Sequence, residues 1–122
     1  MIRGIRGATT VEKNDERAII DATEKLLSVM IAENEIDPDK VASVFISVTD
    51  DLSSAFPAKA LRKFEGWMYV PVMCMKEIPV PSSLKFCIRI MLHLNTDTAQ
   101  QDIQHAYLEK AIALRPDLQN HS

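Results

Sequence analysis

Glycine, cysteine and positive charge are all in short supply in this sequence. With three glycines, no glycine-rich phosphate loop is present. Two cysteines, Cys74 and Cys87, make neither a disulfide framework nor a zinc motif. A single bridge between them stays open on geometry, and two free thiols in a reducing cytosol is the reading adopted. The net charge of −3 gives no reason to expect nucleic acid or an anionic membrane as partner, so any anion site must be a local cluster. No apolar run approaches a membrane span. Arg3 and Arg6 interrupt the start, so no basic-then-apolar signal peptide opens the sequence. The expected location is the cytoplasm. Ser-His-Asp arrangements and metal-ligand spacings are also missing, and His93, His105 and His121 are scattered.

What is present suits one domain with a sizeable core: 122 residues, 47% apolar and 25% charged. Residues 1–12 read as a strand ending in Thr and Val. Gly4 and Gly7 weaken it and mark close approach of a backbone or a ligand. Arg3 and Arg6 are of opposite parity and point to opposite faces; the plain reading is two solvated arginines on an edge strand. Asn14 or Asp15 caps a helix over roughly 15–34, whose stripe of Ile19, Ala22, Leu26, Leu27, Met30 and Ile31 faces the core. Asp37-Pro38 starts one short turn. Residues 41–49 are the strongest strand signal, almost continuously apolar, as a strand covered on both faces should be. Asp50-Asp51 turns the chain. Pro57 opens a short helix on which Lys59 and Arg62 share a face. Tyr69 to Cys74 reads as a strand at an edge or irregular position because of Pro71. A Pro/Ser loop follows, and 84–95 returns as a long strand. The segment from Asp97 onward has the spacing of one continuous helix, although Ala111-Ile112-Ala113-Leu114 equally fits a strand. Residues 119–122 form a polar, frayed tail. The order of elements gives an α/β or α+β domain with one long helix.

Arg89 is the residue this pattern leaves to be explained, because a charge inside an apolar strand is costly unless it is paired or holds a ligand. Arg6, Arg62 and Arg115 also sit near element ends, and Glu77 lies just past the Tyr69–Cys74 strand. Arginine forks, a lysine, one acid, a thiol and a phenol fix and stabilise a polyanion rather than perform covalent chemistry.

Residues 3–12 (Arg-Gly-Ile-Arg-Gly-Ala-Thr-Thr-Val-Glu), Phe56-Pro57-Ala58-Lys59-Ala60, Gly66-Trp67 with Tyr69-Val70-Pro71-Val72, Cys74-Met75 with Glu77, Cys87-Ile88-Arg89, and Tyr107-Leu108-Glu109-Lys110 through Leu114-Arg115-Pro116-Asp117-Leu118 together carry a resemblance. Over residues 1–118, taken as one domain, the chain resembles the monofunctional, Bacillus-type (AroH-class) chorismate mutases. The resemblance implies an α+β fold: a mixed sheet with one long helix and short helices, in a pseudo-α/β-barrel homotrimer with active sites at subunit interfaces. It implies isomerisation of chorismate to prephenate by a Claisen rearrangement on the way to phenylalanine and tyrosine. The reaction needs no metal or cofactor.

The implied roles are specific. Arg89 would address the ether oxygen and a carboxylate. Arg6, helped by Tyr107, would bind the side-chain carboxylate. Glu77 and the backbone near Cys74 would hold the ring hydroxyl, with the Cys74 thiol in contact. Phe56, Ala58, Lys59 and Arg62 would come from the neighbouring subunit. Leu114 and Arg115 would belong to a mobile C-terminal cover, and most of 105–114 would be extended after a short helical turn. Met73 stands where the family often has threonine, so contact there falls to the backbone. Partners beyond chorismate, prephenate and further copies of the chain are not implied. Two other readings of the same residues are a catalytically silent sensor of a dicarboxylate, and a structural trimer whose arginines pair with acids such as Glu77.

Overall fold

A computed structural model describes residues 1–114. Arg115 and the polar tail 119–122 lie outside the described residues. One helix packs on one face of a five-stranded mixed sheet, with strand order β3-β2-β4-β1-β5. The strands are β1 (Ile2–Thr10), β2 (Val41–Val48), β3 (Val72–Lys76), β4 (Cys87–Asn95) and β5 (Ala106–Tyr107). β4 runs antiparallel to both β1 and β2, whereas β3 joins β2 and β5 joins β1 in parallel. The expectation of a mixed sheet with one long helix and short helices holds. β1 is not an edge strand, because β5 covers its outer side.

The helix α1 (Glu16–Asn34) begins where its cap dictates: the Asp15 carboxylate accepts from the Ala18 N–H at 3.0 Å. Its stripe buries Ile19, Leu26, Leu27 and Met30 completely. Thr23, a polar residue in that stripe, is satisfied by donating to the Ile19 carbonyl at 2.7 Å. The sheet answers with Ile5, Val44, Ile46, Ile88, Ile90, Leu92 and Leu94. Gly7 lies beneath the helix: a Cβ there would meet the Met30 sulfur at 2.5 Å and Leu26 Cδ1 at 3.1 Å. Its missing side chain therefore sets how closely α1 approaches β1.

β2 is covered on one face only, contrary to its near-continuous apolar reading. Val44 and Ile46 are buried, while Phe45 is 37% exposed and Ser43 and Ser47 are half-buried on the other face. Around Phe45 that second face carries no packed layer among the described residues, whereas at its β1 end Tyr107 and Ala111 bury Ala8. β3 is the edge strand Pro71 suggested, but it starts at Val72, after the proline. β4 starts at Cys87 rather than 84, because Phe86 sits at φ 52°, a conformation costly for an aromatic residue. Asp51 holds it there, both carboxylate oxygens accepting from the Phe86 N–H at 3.0 and 3.1 Å.

The segment after Asp97 is not one helix. It makes a single 3-10 turn at Gln100–Asp102, adds β5, and ends in a 3-10 helix at Glu109–Leu114. β5 takes its hydrogen bonds from β1, so backbone pairing overrides helical spacing here. The implied extension of most of 105–114 is realised only at Ala106–Tyr107.

Candidate active site

Strand alternation decides which site residues can meet. On the open face of the sheet stand Arg6, Phe45, Ser47, Met75, Arg89 and Met91, with Ser47 in register with Arg89 on one side and Met75 on the other. Glu77, one residue past β3, is tied back by its N–H to the Val48 carbonyl at 2.9 Å. These residues line a cleft of about 220 Å³ together with Gly7 and Tyr107. Tyr107 is buried, packed with Ala8 and Ala111 and flanked by Leu84 and Leu114.

The cleft is electrostatically wired. The Arg89 Nε lies 3.6 Å from Glu77 Oε2, and the Ser47 hydroxyl donates to the same oxygen. Arg89 is 44% exposed at its side chain, so it is not a charge enclosed in an apolar strand. Among the described residues neither Arg6 nor Arg62 has an ion-pair partner. The Arg6 main-chain N–H donates to His105 Nδ1 at 2.9 Å, which fixes the backbone beneath the arginine. At Cys87, two residues before Arg89 on the same face of β4, burial raises the thiol from an ordinary 9.0 to about 11; the nearby Arg89 charge pulls it down, and Glu77 and Asp51 push it further up.

The other expected residues gather elsewhere. Phe56, Ala58, Lys59, Arg62, Met73 and Cys74 line a larger hollow of about 890 Å³, whose remaining wall includes Trp67 and Val70. It is built on the 3-10 helix Pro57–Lys63 and the edge strand β3. Cys74 therefore stands apart from Glu77 within one chain, because two residues separate them and an odd spacing puts their side chains on opposite faces. Burial raises the Cys74 thiol, opposed by a hydrogen bond from the Ala58 backbone.

This second wall is clamped to α1. Lys59 pairs with Glu16 at 3.4 Å, and Lys63 pairs with Glu24 at 2.9 Å and Asp21 at 3.6 Å. Asn14 accepts from the N–H groups of Ser53 and Ser54 and donates to the Ser53 hydroxyl, which fixes the approach to Phe56. Leu114 packs beside Tyr107 and is kept from the second wall. Both cysteines are free thiols. Among the described residues no group of His, Cys, Asp and Glu has the arrangement to hold a metal ion, and no helix is long and apolar enough to cross a membrane.

Two clusters now carry arginines and apolar walls of the kind a small dianion needs, and relatedness decides their chemistry. The sequence profile described as "Chorismate mutase type I" matches residues 2–118. The chain belongs to the type I chorismate mutase family. With the family come an isomerase and aromatic amino-acid biosynthesis. The chain is 52% identical over 118 residues to chorismate mutase AroH of Bacillus subtilis, covering 97% of this chain and 93% of that protein. It is 47% identical over 121 residues to chorismate mutase AroH of Thermus thermophilus, covering 98% of each. Among solved structures, chorismate mutase from Clostridium thermocellum matches with a TM-score of 0.87 and 47% identity, over 90% of this chain and 97% of that one.

Ser47 was not singled out by sequence reasoning, and Asn14 and Asp51 were read only as a helix-cap candidate and a turn residue. For Ser47 a signal existed: Ser43 and Ser47 stand at even spacing in an apolar strand, which marks one face as uncovered.

Proposed function

We propose that this chorismate mutase isomerises chorismate to prephenate at a composite site, with the Arg89 wall of one subunit facing the Cys74 wall of another in a cytoplasmic homotrimer. The observation that carries this is the division of the family's site residues between two hollows of one chain. At about 220 Å³ the Arg89 cleft is smaller than the roughly 300–1,000 Å³ of complete small-molecule sites. Its open sheet face and the rim of the second hollow expose large apolar side chains: Phe56 at 71%, Met68 at 82%, Tyr69 at 90% and Met73 at 60%. Exposed apolar surface on this scale belongs in an interface.

The chemistry suits these tools. The substrate's ether C–O bond breaks as a new C–C bond forms, in one concerted step that passes no proton and needs no nucleophile. Negative charge collects on the ether oxygen. Arg89, ion-paired with Glu77, offers its N–H groups to that oxygen and a carboxylate. Arg6, with Tyr107 beside it, takes the second carboxylate. Glu77 on one wall and the Cys74 region on the other hold the ring hydroxyl. Phe56, Ala58, Lys59 and Arg62, with the backbone at Met73, close the far side, and the resemblance assigns Leu114 and Arg115 to its cover. Holding the compact, diaxial conformer contributes orientation, and the preorganised arginine contributes electrostatic stabilisation.

Purified protein should consume the chorismate absorbance without added cofactor and run as a trimer in solution. A folded trimer with no turnover above the spontaneous rate would sink the reading. An active monomer would sink the composite site alone.

A further inference from the structure

We propose that Ser47 is a positioning residue of this site: its hydroxyl holds Glu77 so that the carboxylate cannot draw Arg89 out of the cleft. This rests on the reading that Arg89 and Glu77 both serve substrate.

Glu77 and Arg89 are opposite charges at the rim of one cleft, with Nε and Oε2 3.6 Å apart. A carboxylate and a guanidinium left to themselves prefer the two-pronged arrangement, with two parallel N–H···O bonds. That arrangement would consume the donors the ether oxygen needs. Ser47 stands against it. β2 places Ser47 in register with Arg89, on the same face, and its hydroxyl donates to Glu77 Oε2. The N–H of Glu77 is fixed to β2 one residue further on, at Val48. The carboxylate is thus tied to β2 by main chain and side chain together. Oε2 accepts from Ser47 and faces the Arg89 charge as an ion pair, while Oε1 has no donor among the described residues and stays available to a hydroxyl of the ligand. A serine in a strand otherwise built of Val, Ala, Phe and Ile, apart from Ser43, has this task as its explanation. Ser43 has a different partner, His93 Nδ1 at 3.1 Å.

The test is kcat and KM toward chorismate for Ser47→Ala, Ser47→Thr, Glu77→Ala and the double variant Ser47→Ala/Glu77→Ala. Melting temperature and solution mass accompany each to confirm an intact fold. A hydrogen bond to a charged group is of a strength that makes the Ser47→Ala loss roughly 10- to 100-fold in kcat/KM, carried mainly by kcat. Ser47→Thr retains the hydroxyl and recovers most of the rate. In the Glu77→Ala background, Ser47→Ala produces no further loss, because the group it acts through is gone. Wild-type kcat/KM in Ser47→Ala, or equal losses in both backgrounds, overturns the proposal while leaving the site reading standing. Undiminished turnover in Glu77→Ala overturns the role of Glu77 and the proposal with it.

Discussion

The two walls of the site are built on different principles. The Arg89 wall is a strand surface. Its charged groups project from β1 and β4, and Glu77 is tied to β2 by a main-chain and a side-chain hydrogen bond. The Cys74 wall is a 3-10 helix and an edge strand, wider and richer in apolar side chains, and clamped to α1 by exposed ion pairs. On the proposed reading the first wall, held by hydrogen bonds and charge, meets the charge that develops as the ether bond breaks, and the second, broad and mostly apolar, encloses the substrate. Preorganisation would then be concentrated where the transition state differs most from the ground state, which is where it can accelerate a reaction.

Changing the same residue type on each wall should expose this difference. Replacing Arg89 by citrulline, neutral and of nearly the same shape, should lower kcat by at least about 100- to 1,000-fold, the loss of one oxyanion donor in comparable sites. The same replacement at Arg62 should act mostly on KM. Equal kcat losses at both positions would erase the distinction. A lysine at 89 would keep charge but lose the planar fork, and should fall nearer to citrulline than to arginine.

Mixing tests whether the walls belong to different subunits. Arg89→Ala and Arg62→Ala chains, each poorly active alone, should recover activity when refolded together. Random assembly leaves about one quarter of the sites with both walls intact. No recovery, with mixed trimers demonstrated by mass, would put both walls of each site in one chain.

A smaller effect lies beside Arg89, at the start of β4. Burial holds the Cys87 thiol near 11 in the folded protein against an ordinary 9.0. Between those values the unfolded chain releases a proton that the folded chain keeps. This contribution to stability is therefore complete below about pH 9 and is lost as pH rises toward about 11. Denaturation midpoints taken across that range should fall more steeply for the wild type than for Cys87→Ala. Parallel slopes would remove Cys87 as the cause.

Much of this architecture was legible in the residues. Asp15 announces the helix cap, Pro57 the short helix and Pro71 the edge strand, each because one side chain imposes one backbone conformation. The arginine cluster was legible as chemistry, since a charge in an apolar strand asks for a partner. What could not be read depended on distant contacts. The segment from Asp97 has helical spacing, yet β1 offers it a ladder. Phe86 takes a left-handed conformation only because Asp51, 35 residues earlier, receives its N–H. Glu77 and Cys74 were grouped by the family resemblance, and strand alternation separates them within one chain. Reading 41–49 as covered on both faces missed the meaning of Ser43, Phe45 and Ser47, whose polarity and exposure leave one face open.

Gly7 lines the Arg89 cleft on one side and touches the space of Met30 and Leu26 on the other. At that point the partition between the proposed catalytic chamber and the hydrophobic interior is a single main chain. The floor of the proposed chamber thus rests on Met30 and Leu26, and a change of side-chain volume at either would be felt through one strand of backbone.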